Sequence, residues 1–391
     1  MESLIMKLAL FLLSFWLIGC TTTNSGNPSS SESMDVAELD KETTSSPIPV
    51  DPQKTTANVE SAFNWQRFFK GNPPSKERPL LQAAIKQLRT ASSVPDLMKR
   101  GRNEFSIGLF AAAESSFRQA LRKDPKNIDA LIELAATLQK SRKINAAMDV
   151  LAEAKSNLSA QERPDASEVF RYRYTLAMTY LANDERSKAH TILSDLIGKD
   201  KTFLPGYATL AFSYLKEGKD SIAKFIVEQA LDRGGDHPSL YNIMGVLAER
   251  QGNFAKARDQ YNKALNMSDT FAPALVNRAN LYVATREVGM AESDYKKALE
   301  SDPANTDAMI GLGAVLRQTG RYASSRETFE RVLEVDADNP QARFNLAILM
   351  RENLKDEGQA LRYFNEVTQS ERANQTLKAS AKSAIDEIRS L

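Results

Sequence analysis

Residues 272–303 read APALVNRANLYVATREVGMAESDYKKALESDP. Leu275, Ala279 and Tyr282 follow one another at helical spacing, as do Ala291, Tyr295 and Ala298, before the stretch closes on Asp302-Pro303. Gaps of 3, 4 and 7 residues between apolar positions put large and small side chains on facing sides of two short helices. Shifting the template by 34 residues finds it again on both sides. A period of this length predicts stacked helical units along one elongated array.

Working outward, the first unit starts at Val94 and carries Leu97, Gly101, Gly108, Ala113, Phe117, Ala120 and Pro125. The second starts at Ile128 and is followed by eight extra residues, Glu162 to Val169, before the pattern resumes at Phe170. Pro164-Asp165 within them is placed to open an extended helix, and a bend between subdomains is expected there. Further units start at Leu204, Pro238, Ala272, Thr306 and Pro340, the last with one residue inserted before Ala360. Beyond them Leu377, Ala381, Ile385, Ile388 and Leu391 predict an amphipathic helix that caps an open end.

The pattern has a physical reading. Gly or Ala at the eighth and twentieth positions lets the two helices of a unit approach closely, and bulky Tyr, Phe and Leu at positions 4, 7, 11 and 24 fill the space beside them. Gly108, Gly218, Gly252 and Gly320 fall at the end of the first helix, where a left-handed residue is expected. Asp124-Pro125 and Asp302-Pro303 stop the second helix.

Taken together, residues 94–373 resemble a tetratricopeptide-repeat (TPR) protein. The resemblance implies an all-α, right-handed superhelical solenoid of about eight helix-turn-helix repeats, closed by a C-terminal capping helix over 374–391. It also implies a concave groove lined by the first helix of each repeat, through positions 2, 5, 9, 12 and 13. Carried over, these positions give Tyr174, Met178, Phe212, Lys216, Asn242, Glu249, Arg250, Val276, Asn280, Arg317, Gln318, Phe344 and Arg351. Aromatics, amides and arginines in one groove suit an extended peptide or a partner helix. The family's carboxylate clamp for chaperone tails is incomplete: Asn277 and Asn345 occupy its asparagine position, but Thr209, Ile243 and Gly311 stand there in other repeats.

The N-terminus reads differently. Lys7 precedes an apolar run from Leu8 to Ile18, too short to span a bilayer but suited to a signal-peptide core, and Glu2 makes Met6 an alternative start to Met1. Leu17-Ile18-Gly19-Cys20 resembles the bacterial lipobox, which implies cleavage after residue 19 and acylation of Cys20. An ordinary secretory signal with an incidental cysteine and an uncleaved anchor are the alternatives. Thr21 stands where an aspartate would favour retention in the inner membrane, so the family rule implies the periplasmic face of the outer membrane. Residues 20–62 are rich in Ser, Thr, Pro and Asn, with seven acids against Lys41 and Lys54 from Thr21 onward, and are expected to form a disordered acidic tether. Residues 63–93 hold an aromatic-basic segment, Phe63 to Lys70, and a helix from Leu80 to Leu88 that shields the first repeat.

Composition removes other functions. With 51 Lys and Arg against 50 Asp and Glu, no bulk attraction to nucleic acid is expected. Cys20 is the single cysteine, so no internal disulfide, thiol nucleophile or cysteine metal site can form. His190 and His237 have no zinc-peptidase spacing, and neither a phosphate loop nor a serine-hydrolase elbow occurs. Gly311-Leu312-Gly313 reads as an accidental match to a phosphate loop, since its second glycine is the small packing position of the seventh repeat. Catalysis, cofactors and metals are therefore not expected.

The layout of anchor, tether and repeats resembles the assembly lipoproteins of tight-adherence (Flp) pili and the pilotins of type IV pili, which implies a scaffold for a pilus or secretin system. The alternatives are an adaptor for peptidoglycan hydrolases, or an accessory factor in polysaccharide export or outer-membrane protein assembly. Cys20→Ser should leave the repeats folded but move the protein from the membrane to the soluble fraction; retention in the membrane pellet would mean that something else anchors it.

Overall fold

The computed structural model describes residues 78–390 apart from 89 and 91. The apolar run, Cys20, the tether and the Phe63–Lys70 segment lie outside the described residues. All regular structure among the described residues is helical. A leading helix α1 (Arg78–Gln87) precedes eight helical hairpins. The first four are α2 (Val94–Ser106) with α3 (Phe110–Lys123), α4 (Ile128–Lys140) with α5 (Ile144–Ser159), α6 (Ala166–Ala182) with α7 (Arg186–Lys199), and α8 (Leu204–Lys216) with α9 (Asp220–Asp232). The others are α10 (Pro238–Arg250) with α11 (Phe254–Met267), α12 (Ala272–Ala284) with α13 (Val288–Ser301), α14 (Thr306–Gln318) with α15 (Tyr322–Val335), and α16 (Pro340–Ile348) with α17 (Glu357–Gln369). Helix α18 (Gln375–Arg389) packs on α17 at the end.

Each first helix packs on its own second helix, and all but that of the third repeat pack directly on the first helix of the next, so burial is relayed along the chain. The second helices meet the first helix of the following repeat. The fold is an all-helical tetratricopeptide solenoid.

Size matching holds each hairpin together. The small residues Ala113, Ala147, Ala189, Ala223, Ala257, Ala291 and Ala360 are all fully buried. Opposite them, Phe117, Leu151, Leu193, Val227, Tyr261, Tyr295, Phe329 and Phe364 fill the hairpins. Where this large residue is Phe117, Tyr261 or Phe329, the facing first-helix position is glycine, and a Cβ there would come within 2.6 Å (Gly101), 2.3 Å (Gly245) or 2.5 Å (Gly313) of the ring. Where it is Leu151, Leu193 or Val227, alanine suffices at 135, 177 and 211. Ser325 replaces the usual alanine and donates its hydroxyl to the Gly313 carbonyl at 2.7 Å.

Tyr295 departs from this scheme in an informative way. Its own repeat offers Ala279, and its ring end leans into the next repeat, where a Cβ on Gly311 would lie 2.3 Å from it. Gly311 is therefore a packing residue, as Gly313 is. The signal was its spacing to Tyr295 in the neighbouring repeat, a contact between repeats that the template within one repeat does not contain.

Turn chemistry sets the hairpin geometry. The residue closing each first helix is left-handed in all eight repeats: Gly108, Gly218, Gly252 and Gly320, and also Arg142, Asp184, Arg286 and Lys355. Glycine carries no steric penalty there, whereas the four other residues bear a local conformational cost. Between repeats, Asn127, Asn305 and Asn339 cap the next first helix by accepting a backbone N–H, and each side-chain amide donates to the aspartate three residues earlier, Asp124, Asp302 or Asp336.

Both irregularities in the sequence find a place. The eight extra residues contain Asp165, whose carboxylate caps α6 through the Ser167 and Glu168 N–H groups, and α6 thus starts one turn ahead of the repeat pattern. The single inserted residue of the last repeat is absorbed by a π-helical turn, Leu349–Leu354, that continues α16.

Tyr295→Ala should lower unfolding free energy by roughly 3–5 kcal/mol, as loss of a buried aromatic does. Gly311→Ala should also destabilise, while Gly198→Ala, into open space within α7, should stabilise by up to about 1 kcal/mol. Chemical denaturation of the three variants checks the repeat register and the Tyr295–Gly311 contact together.

Candidate partner-binding groove

The first helices follow one another along one face, packed directly in most repeats and joined between α6 and α8 by the Tyr174 and Thr209 hydroxyls. Position 5 of the repeat is where the family pattern misleads. Tyr174 is buried in the core, edge-on to Phe203, and its hydroxyl is 2.8 Å from that of Thr209. Phe344 is buried edge-on to Phe364, and Val276 is buried in the core of the sixth repeat. Asn242 is buried as well and accepts the Asn277 amide at 2.9 Å. Met98, Ile132 and Ala208 occupy the same position in three other repeats and are also buried. Adjacent first helices lie close enough here for position 5 to pack between them, so Tyr174, Val276 and Phe344 are framework residues and Asn242 is a link between repeats. These four are corrected as groove residues.

Polar links of this kind run along the array. Arg102 donates three hydrogen bonds to Glu133, Gln139 donates to the Met178 carbonyl, Arg317 pairs with Glu352 and Arg351 with Glu387. Arg250 pairs with Asp220 and Arg171 with Asp129. Asn280 accepts the Tyr295 hydroxyl. Arg250 and Arg317 thus tie neighbouring repeats, Arg351 ties the last repeat to α18 and Asn280 ties the two helices of its own hairpin, with groups the family pattern offers to a ligand, while remaining half-buried. Asn277 and Asn345 are likewise engaged, the latter on the Gln341 carbonyl at 2.8 Å. The clamp asparagines therefore serve the framework.

What stays open is a track through the middle repeats. Met178 is half-buried, Phe212 is 47% exposed, and Lys216 and Gln318 are exposed. The Lys216 ammonium lies over the Phe212 ring, 5.4 Å from its centroid. An aromatic with this much surface contributes little to the core and offers a partner an apolar platform under a cation.

Glu249 lies at the end of α10, only 6% exposed. The Tyr261 hydroxyl donates to one of its oxygens at 2.6 Å, and the other oxygen is buried without a hydrogen-bond partner. Burial raises its pKa from 4.5 to about 7 against the opposing pull of that hydrogen bond. His190 is held neutral by burial, its ring on Tyr214 and its Nε2 2.8 Å from the Ser213 hydroxyl. Ser213 is buried, so this Ser–His contact presents no reactive hydroxyl to a substrate. His237 caps α10, its Nδ1 accepting the Ser239 N–H. A shallow pocket beside Phe254, Leu281 and Tyr282 holds about 120 Å³, well under the roughly 300–1,000 Å³ of small-molecule sites. Among the described residues no group of three or more His, Cys, Asp or Glu side chains is placed to hold a metal, and no helix is long and apolar enough to cross a membrane.

Comparison with known proteins agrees with the fold. Tetratricopeptide-repeat family models match residues 108–166 and 286–347, and residues 209–273. The anaphase-promoting complex subunit 3 of Schizosaccharomyces pombe is 26% identical over 115 residues, 29% of this chain and 17% of that protein. The chain thus spans under a fifth of that relative. The crystal structure of the APC/C hetero-tetramer Cut9–Hcn1 has a TM-score of 0.55 at 17% identity, covering 79% of this chain and 60% of that one; the likeness is one of fold. PilW, a widely conserved type IV pilus biogenesis factor, has a TM-score of 0.45 at 18% identity, covering 54% of this chain and 98% of its own.

The Glu249 environment gives a pH test. The folded state holds this proton more tightly than the unfolded chain does, so the residue costs nothing below the unfolded pKa of 4.5, increasingly more as pH rises to about 7, and a constant amount above. Glu249→Gln stays neutral throughout. Relative to the parent it should gain stability between pH 5 and pH 8, by at most about 3 kcal/mol, in denaturant titrations at the two values.

Proposed function

We propose that this tetratricopeptide solenoid is a lipid-anchored scaffold on the periplasmic face of the outer membrane, where it recruits protein components of an envelope machine. The observation that carries partner binding is Phe212 under Lys216 on the open inner track: an exposed aromatic with a cation above it, where the other first-helix aromatics among the described residues are buried or half-buried. Such a platform suits an extended segment or a helix that brings apolar and acidic side chains together. The lipobox-like Leu17-Ile18-Gly19-Cys20 supports anchoring, and the polar tether supports a working position away from the bilayer.

The machine proposed is a secretin-based pilus system of the tight-adherence or type IV kind. Its warrant is the order of anchor, tether and repeats, which is an argument from layout. Catalysis has no part in this reading: the partner is held, and the anchor determines where.

Affinity capture with the full-length lipidated protein should retain a secretin or pilus-assembly protein. Recovery of peptidoglycan hydrolases without a secretin would overturn the pilus reading and keep the scaffold. Phe212→Ala and Lys216→Glu should each weaken that capture at least tenfold while leaving the melting temperature unchanged, since both side chains are exposed. Undiminished capture by both variants would move the binding surface off the inner track.

A further inference from the structure

One contact joins parts of the chain far apart in sequence. The turn between α4 and α5 reads Lys140-Ser141-Arg142-Lys143, three cations in four residues. Across 194 positions of sequence, the Arg142 guanidinium lies 3.3 Å from an Asp336 carboxylate oxygen at the end of α15. Asp336 belongs to an acidic edge, Glu334-Val335-Asp336-Ala337-Asp338, and one repeat earlier the matching edge reads Glu300-Ser301-Asp302.

Lys140, in the same turn, is exposed to solvent; burial by the surrounding chain lowers its ammonium pKa, and the charge of Asp302 opposes that shift. The contact itself is that of Arg142 with Asp336, which ends the second helix of the seventh repeat, and Asp302 ends that of the sixth.

The acidic side is held in place. Arg372 reaches back from beyond α17 and donates two hydrogen bonds to Asp336, at 2.6 and 2.8 Å. Arg372 first, then Asn339 and Arg142, hold the Asp336 carboxyl down at about 2, so it is charged at any ordinary pH. On the basic side, Arg142 occupies the left-handed turn position that four other repeats give to glycine. Lys143 is already paired with Glu114 at 2.9 Å, leaving Lys140 and Arg142 to face the acidic edges.

We propose that the solenoid closes on itself through this clasp, the Lys140–Arg142 turn seated on the Asp302 and Asp336 edges, and that the clasp opens and shuts. The Arg142 side chain is 67% exposed in the pair. Attraction between charges so well hydrated is modest and readily screened by salt. The clasp is therefore a reversible electrostatic closure, and shutting it encloses the face of the first helices that the middle repeats leave open. It does not depend on which partner that face takes.

Two measurements test it on the full-length chain in low-salt buffer. In a Cys20→Ser background, which removes the only cysteine, Ser141→Cys with Ala337→Cys should be joined within one chain by a short bismaleimide. The yield should fall at least fivefold at 0.5 M NaCl. A control pair, Asp184→Cys with Ala337→Cys, uses the corresponding turn of the next repeat and should not be joined. Equal yields for both pairs, or links formed only between chains, would overturn the proposal. Lys140→Glu with Arg142→Glu should raise the radius of gyration in small-angle scattering with helical circular dichroism unchanged. A radius equal to that of the parent at low salt would also overturn it. If the double variant loses helicity, the cross-linking yield and its salt dependence decide alone.

Discussion

The fold depends on volume matching across each hairpin. A large second-helix residue such as Tyr261 or Phe329 faces a first-helix position that must be small, and a Cβ at Gly245 or Gly313 would stand within van der Waals radii of the ring. Where the large residue shrinks to Leu151 or Val227, alanine returns at 135 and 211. The two positions compensate within one hairpin, so each fixes its own interhelix distance without help from distant parts of the chain. Repetition of that distance makes the inner face regular. A single cysteine allows no internal disulfide, so the array takes its order from this matching and from the links between neighbouring first helices.

Those links account for much of what looked like recognition chemistry. Asn242 with Asn277, Tyr174 with Thr209 and Arg317 with Glu352 tie successive repeats, and Arg351 with Glu387 ties the last to α18, much as side-chain ladders tie strands. A groove built this way has few uncommitted polar groups. Phe212 and Lys216 stand out because their surface remains available. The inner face has two parts: a frame that sets curvature and a short track that can meet a partner.

How far the sequence could be read follows from which interactions are local. Hairpins, small–large positions and turn glycines were legible, because each is decided within 34 residues by residue size and backbone preference. The extra residues at 162–169 and the insertion before Ala360 were visible too, although periodicity could not say that the second would become a π turn. Position 5 was misread because its environment belongs to two repeats: whether Val276 faces solvent or a neighbouring helix depends on the spacing between repeats. The packing of Gly311 against Tyr295 was out of view for the same reason. The meeting of Arg142 with Asp336 lay further out of reach, since it depends on curvature accumulated over several repeats, although the charges of both segments were plain. The residues before Arg78, which carry the anchoring motif, lie outside the described structure.

The inter-repeat turn has a consequence for how such a chain can grow. In Asp124–Asn127, Asp302–Asn305 and Asp336–Asn339 one asparagine caps the next helix while bonding back to the aspartate, so three residues of chain carry two duties. Lengthening any of these turns by one residue would break one bond or the other. The loop before Asp165 is under no such constraint, because Asp165 caps α6 using only residues that follow it. Added chain is therefore tolerated at residues 161–163, which are exposed, and resisted at the Asp–Asn turns. That seam is the natural point for lineages to gain a domain and for an experimenter to insert a reporter without disturbing the stack.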